Sequence, residues 1–112
     1  MNRIDNNTEK AIRRFLTLIE DRYDIAGAIL YGSRARGTHD QDSDADVAVL
    51  LKEEHRRFMT VKLDMVDTAF DVMLETGIIV SPYPILLEEW EHPENHSNPA
   101  LLYAITREGV RL

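Results

Sequence analysis

Residues 31–49 read Tyr31-Gly32-Ser33-Arg34-Ala35-Arg36-Gly37-Thr38-His39-Asp40-Gln41-Asp42-Ser43-Asp44-Ala45-Asp46-Val47-Ala48-Val49. An apolar run ends at Gly32-Ser33, and after ten intervening residues the pair Asp44 and Asp46 opens a second apolar run. Gly32 has no Cβ, so a polyphosphate could approach its backbone closely, and Ser33 adds a hydroxyl donor beside amides that open a helical turn. Alternation along a strand sends Asp44 and Asp46 to one face, where two carboxylates can share a hard divalent cation. Mg²⁺ suits them, with phosphate oxygens completing its octahedron and the metal polarising an α-phosphate. The two halves together point to nucleotidyl transfer.

Working outward, Ile25–Tyr31 is short, apolar and closed by Gly32, the pattern of a strand buried on both faces. Residues 46–51 form a second such strand. About a dozen polar residues join them, too few for a parallel crossover, so the pair is expected to be antiparallel with one helical turn in the connection. Upstream, Ile12, Phe15, Leu16, Ile19 and Tyr23 recur at helical steps and predict a helix over 5–23, capped by Asp5, Asn6 or Asn7. Downstream, Met59, Leu63, Val66, Phe70 and Met73 form one stripe of a helix over 55–76, expected to face the core, with Gly77 ending it and His55 on its surface. A third strand at 78–80 should stop at Ser81-Pro82-Tyr83-Pro84. A helical turn at 85–90, a polar loop at 91–99 and a short helix at 100–107 complete the chain.

A length of 112 residues fits a single domain spanning 1–112, and 44% hydrophobic with 29% charged residues is an ordinary globular composition. Twenty acidic against 13 basic residues give a net charge of −7. That balance disfavours a broad nucleic-acid surface and leaves Arg13, Arg14, Arg56 and Arg57 for small patches only. With no cysteine there is no disulfide or thiolate site, which fits a reducing compartment, and the cytoplasm is the default. No stretch approaches the roughly 18 to 20 apolar residues of a membrane span, and the N-terminus lacks an apolar signal core.

Gly32-Ser33-Arg34-Ala35-Arg36-Gly37 followed by Ser43-Asp44-Ala45-Asp46-Val47 resembles the signature of the minimal nucleotidyltransferases of the DNA polymerase β-like superfamily. The resemblance implies an α/β (α+β) fold, a small mixed sheet backed by helices. It also implies transfer of a nucleoside monophosphate, AMP from ATP, with Mg²⁺. By the same carry-over Gly32 and Ser33 hold the triphosphate, while Asp44 and Asp46 ligate metal and are the catalytic carboxylates. Minimal members resemble antitoxins paired with a HEPN-domain toxin, so a HEPN-type protein partner is implied, silenced by binding or by AMP addition. Homo-oligomers are compatible with the sequence.

One departure stands out. The superfamily places a third carboxylate on the next strand as general base and metal ligand. Here Ile78, Ile79 and Val80 stand there, and Asp67, Asp71 and Glu75 lie on the preceding helix. The alternative reading is therefore a non-catalytic antitoxin or interaction module that keeps the fold and nucleotide binding. Arg34 and Arg36 are placed either to neutralise the β- and γ-phosphates or to compensate the acids at 40–46. His39, Asp40 and Asp42 read as loop surface. Pro93 between His92 and His96 spoils a helical zinc pair. Trp90, Tyr83 and Tyr103 form either a stacking patch or core packing.

Overall fold

The computed structural model describes residues 4–53 and 57–112, so the expected helical surface at His55 and the Arg56 patch lie outside the described residues. Asp5 opens the first helix: its carboxylate accepts from the Thr8 amide and hydroxyl, both at 2.8 Å. Helix α1 then runs Asn6–Ile19 and buries Ala11, Ile12, Phe15 and Ile19. It stops four residues short of Tyr23, whose ring packs from the following turn. Strand β1 is Ile25–Tyr31, the turn helix α2 is Ser33–Arg36, and β2 is Ala45–Leu51. β1 and β2 pair antiparallel with Tyr31 opposite Asp46, as the short helical connection requires.

Helix α3, Phe58–Thr76, ends at Gly77 in a left-handed conformation with φ 78°. It carries the chain to β3, Val80–Leu86, which lies parallel to β2. Helices α4 (Leu87–Glu91) and α5 (Pro99–Glu108) flank a 3₁₀ turn at Pro93–Asn95. A two-residue strand β4, Val110–Arg111, returns to β1. The sheet order is β3-β2-β1-β4, a mixed sheet covered on both faces. Leu30, Val47, Val49 and Leu51 point to α1 and α3; Ile29, Ala48, Leu50 and Ile85 point to α5.

Two expectations are overturned. The third strand does not stop at Ser81 but runs through Pro82 and Pro84 to Leu86. β3 is an edge strand, and prolines two residues apart share one side of it. On the unpartnered side the missing N–H groups cost the ladder nothing. The second correction concerns α3, which is apolar on two faces. Val61, Met65, Ala69 and Val72 fill the core, whereas Met59, Leu63, Val66 and Phe70 of the expected core stripe are exposed and Met73 is only partly covered. Of the aromatics, Tyr83 and Trp90 pack against the α5-side core, and Tyr103 is exposed.

Candidate functional site

Gly32 follows the C-terminal end of β1 with φ 78° and ψ −158°, a conformation that side chains strongly resist. A Cβ at this position would overlap Asp46 Oδ2. The glycine thus lets the Gly32-Ser33 turn and the Asp46 carboxylate occupy adjoining space. The turn closes as Gly32 O accepts from the amides of Ala35 and Arg36, both at 3.1 Å. Gly37, left-handed with φ 77°, returns the chain toward the 38–43 loop.

Asp44 is exposed at the mouth of β2, and Asp46 is half-buried one pleat further in. Burial first, then the Asp44 charge, holds the Asp46 carboxyl above the ordinary carboxylate range; Arg36 pulls it down and Glu108 pushes it up. Tyr31, the register partner of Asp46, is pushed up to about 12 by burial, Asp46 and Tyr83, so its phenol stays neutral. Two crowded hard-oxygen donors of like charge are a fitting pair for a divalent cation, which would relieve their repulsion. Among the described residues no three His, Cys, Asp or Glu side chains gather as a ready-made metal cluster. A metal here would complete its shell with substrate oxygens and water.

Ser33 is the first residue of α2, directly after the Gly32 turn. The two arginines diverge. Arg36 is exposed and reaches across to Glu108, at 3.1 and 3.2 Å. Arg34 is 4% exposed and turned inward. Its guanidinium donates to Ser43 O at 2.9 Å, Thr8 Oγ1 at 2.8 Å, Gln41 O at 3.3 Å and Asp40 O at 3.4 Å. Those bonds tie α1, α2 and the loop that leads into Asp44. They use the guanidinium for the loop and leave little of it for phosphate, so Arg34 is placed as a positioning residue. His39 Nε2 lies 2.8 Å from Asp5 Oδ2, at the same seam. A cleft of about 720 Å³ beside Arg34 and His39 is lined by Asp40, Asp42 and Gly77, away from Asp44 and Asp46.

Sequence reasoning missed Tyr31 and Glu108. The Glu108 carboxylate, at the end of α5, accepts from the Gly32 amide at 3.2 Å. No local signal reveals it, because it reaches the site from 76 residues away. On β3, Ser81 is the register partner of Asp46 and shares its face; the place beside the second carboxylate holds a hydroxyl, not an acid.

The profile of the Nucleotidyltransferase domain family matches residues 12–108, and the chain belongs to that family. A relative from Methanocaldococcus jannaschii, named as a candidate protein adenylyltransferase, is 36% identical over 66 residues, which cover 59% of this chain and 63% of the relative. The match thus spans less than two thirds of that relative's length. Among solved structures, the toxin-antitoxin complex MntA-HpeT superposes with a TM-score of 0.61 at 19% identity, covering 93% of this chain and 70% of the other. A toxin-antitoxin structure with AMP-PNP gives 0.63 at 18% identity, covering 96% and 72%. At these identities the two structures show the fold, and it is the nucleotidyltransferase fold that the signature implied. No helix among the described residues is long and apolar enough to cross a membrane.

Proposed function

We propose that this chain is a Mg²⁺-dependent nucleotidyltransferase that moves AMP from ATP to a hydroxyl on a HEPN-type toxin partner, acting as its antitoxin in the cytoplasm. The observation that carries the reading is the close approach of Gly32 to Asp46, which sets the glycine turn directly against the Asp46 carboxylate, one pleat from Asp44. The candidate adenylyltransferase relative and the toxin-antitoxin neighbours support the donor and the partner class.

In the transfer the acceptor oxygen bonds to the α-phosphorus, the bond to the bridging oxygen breaks, pyrophosphate leaves and the hydroxyl proton is released. Ser33 and the turn at Gly32 hold the triphosphate. Arg36 supplies an exposed positive charge beside it. Asp44 and Asp46 would hold the metal, which would screen the triphosphate charge and polarise the α-phosphate. Arg34 fixes the loop that aims Asp44. Glu108 now seats a carboxylate that accepts from the Gly32 amide and Arg36, so these donors already serve an oxyanion. Triphosphate binding exchanges that carboxylate for phosphate oxygens.

A second reading, the non-catalytic antitoxin, is favoured by one observation: Ser81 beside Asp46, with Ile78, Ile79 and Val80 before it, leaves the customary third acid without a counterpart on β3. Inhibition assays of the neighbouring gene product separate the two. The transferase reading requires the Asp44→Ala, Asp46→Ala double variant to lose inhibition while staying folded; full inhibition by that variant supports the second reading.

A further inference from the structure

Helix α3 is covered on one face and bare on the other. Phe58, Met59, Leu63, Val66, Phe70 and Leu74 range from 40% to 66% exposed, and Ile79 extends the patch at 49%. Met59, Leu63, Val66, Phe70 and Leu74 share one face of the helix, an exposed apolar strip of the kind that marks an interaction surface. A helix apolar on both faces belongs to a buried environment, and the fold described here buries only one of them.

Spacing decides what kind of surface covers the bare face. Met59, Leu63, Val66 and Phe70 step by four, three and four residues, and Met73 or Leu74 continues the series. That is the seam a second helix reads with its own apolar residues at i, i+3 or i+4, and i+7. Charge decides which helix. Asp67 and Asp71, both exposed, line the edge of the seam nearer α1. On the other edge Lys62 lies over the rings of Phe58 and Tyr83, 5.8 and 5.7 Å from their centroids. Asp64 and Glu75 of α3 are paired with Arg22 and Arg14, which leaves Asp67 and Asp71 beside the seam against the single Lys62. A second copy would bring these acids, and a net charge of −7, against themselves.

We infer that the bare face of α3 docks an amphipathic helix of a different protein, one whose apolar stripe is flanked by lysine or arginine where it meets Asp67 and Asp71. The surface lies on the α1/α3 side of the sheet, opposite the α5 side that Asp46 faces. A partner held there leaves the nucleotide site open. The inference rests on the proposed function only for the partner's identity, and it holds with or without turnover.

The test uses two synthetic amphipathic helices of about three heptads, identical at the apolar seam, one flanked by lysine and one by glutamate. Anisotropy titrations should show the lysine-flanked helix binding saturably and the glutamate-flanked helix about tenfold or more weaker. Leu63→Glu with Phe70→Glu should abolish binding of the lysine-flanked helix. Both positions are exposed, so the variant should keep the wild-type circular dichroism and ATP affinity. The variant adds negative charge, so unspecific attraction would grow instead of vanish. Asp67→Lys with Asp71→Lys should reverse the preference between the two helices. Equal binding of both helices, undiminished binding by the Leu63, Phe70 variant, or no binding at all overturns the inference. So does a wild-type dimer in sedimentation that this variant dissociates, because the occupant would then be a second copy. Loss of ATP binding in wild type, with helix binding intact, would instead remove the nucleotide site and leave the docking surface standing.

Discussion

Gly32 and Asp46 occupy adjoining space so closely that any side chain on residue 32 would overlap the Asp46 carboxylate. They come from different strands, and the antiparallel register that sets Tyr31 opposite Asp46 brings them together. Gly32→Ala adds a left-handed backbone penalty to that overlap, a cost of about 1–3 kcal/mol. Denaturant unfolding should show the loss, and ATP titration should show affinity reduced by about tenfold or more. Wild-type ATP affinity in Gly32→Ala would place the triphosphate elsewhere.

Arg34→Ala should destabilise without a direct effect on phosphate. Its removal leaves the carbonyls of Ser43 and Gln41 and the buried Thr8 hydroxyl without their donor, a loss of about 2–4 kcal/mol. Thermal unfolding reads the change. Arg34→Lys should recover only part of it, because an ammonium cannot span several acceptors as a planar guanidinium does.

Asp46→Asn separates stability from activity. Burial, then the charge of Asp44, raises the folded-state pKa of Asp46 above its unfolded value. For such a group the stability contribution is fully present below the unfolded pKa and lost as pH rises through the folded one. The asparagine variant should therefore be more stable than wild type near neutral pH in the absence of divalent metal. The difference should shrink as pH falls below the carboxylate range. Unfolding curves at several pH values measure it, and a variant less stable at neutral pH would contradict the crowding.

Glu108→Gln frees the Gly32 amide and Arg36 from a competing carboxylate, and it removes one negative charge from the neighbourhood of Asp46. ATP should bind roughly two- to tenfold more tightly, judged by calorimetry. The Arg36–Glu108 pair is exposed enough for water to screen it, so its loss should cost little stability. Weaker binding would mean that Glu108 holds the turn in shape and does not occupy the place of phosphate.

Ser81→Asp restores a carboxylate on the strand beside Asp46. If the missing third acid is what limits turnover, the rate of AMP transfer should rise by about tenfold or more with nearly unchanged ATP affinity. An unchanged rate would show that the acid, if needed, comes from elsewhere.

The candidate site was legible in the sequence because its parts lie within fifteen residues of one another and obey local rules. Gly32 announces a turn, and Asp44 and Asp46 announce a strand face. Glu108 and Tyr31 were not legible as site residues, since their meeting with Gly32 and Asp46 depends on register and on where α5 ends. The orientation of α3 was misread for a related reason. Periodicity finds an apolar face, but Val61, Met65 and Val72 compete with Met59, Leu63 and Phe70, and only packing decides between them. Pro82 and Pro84 signalled the end of a strand that continues, because nothing local tells an edge strand from a central one.

The most direct test of the account is transfer from ATP labelled at the α-phosphate, with Mg²⁺ and the product of the neighbouring gene. The partner should gain label from α-labelled but not γ-labelled ATP, and Asp44→Ala should abolish the gain while leaving the chain folded. Equal labelling by the Asp44→Ala variant would contradict it.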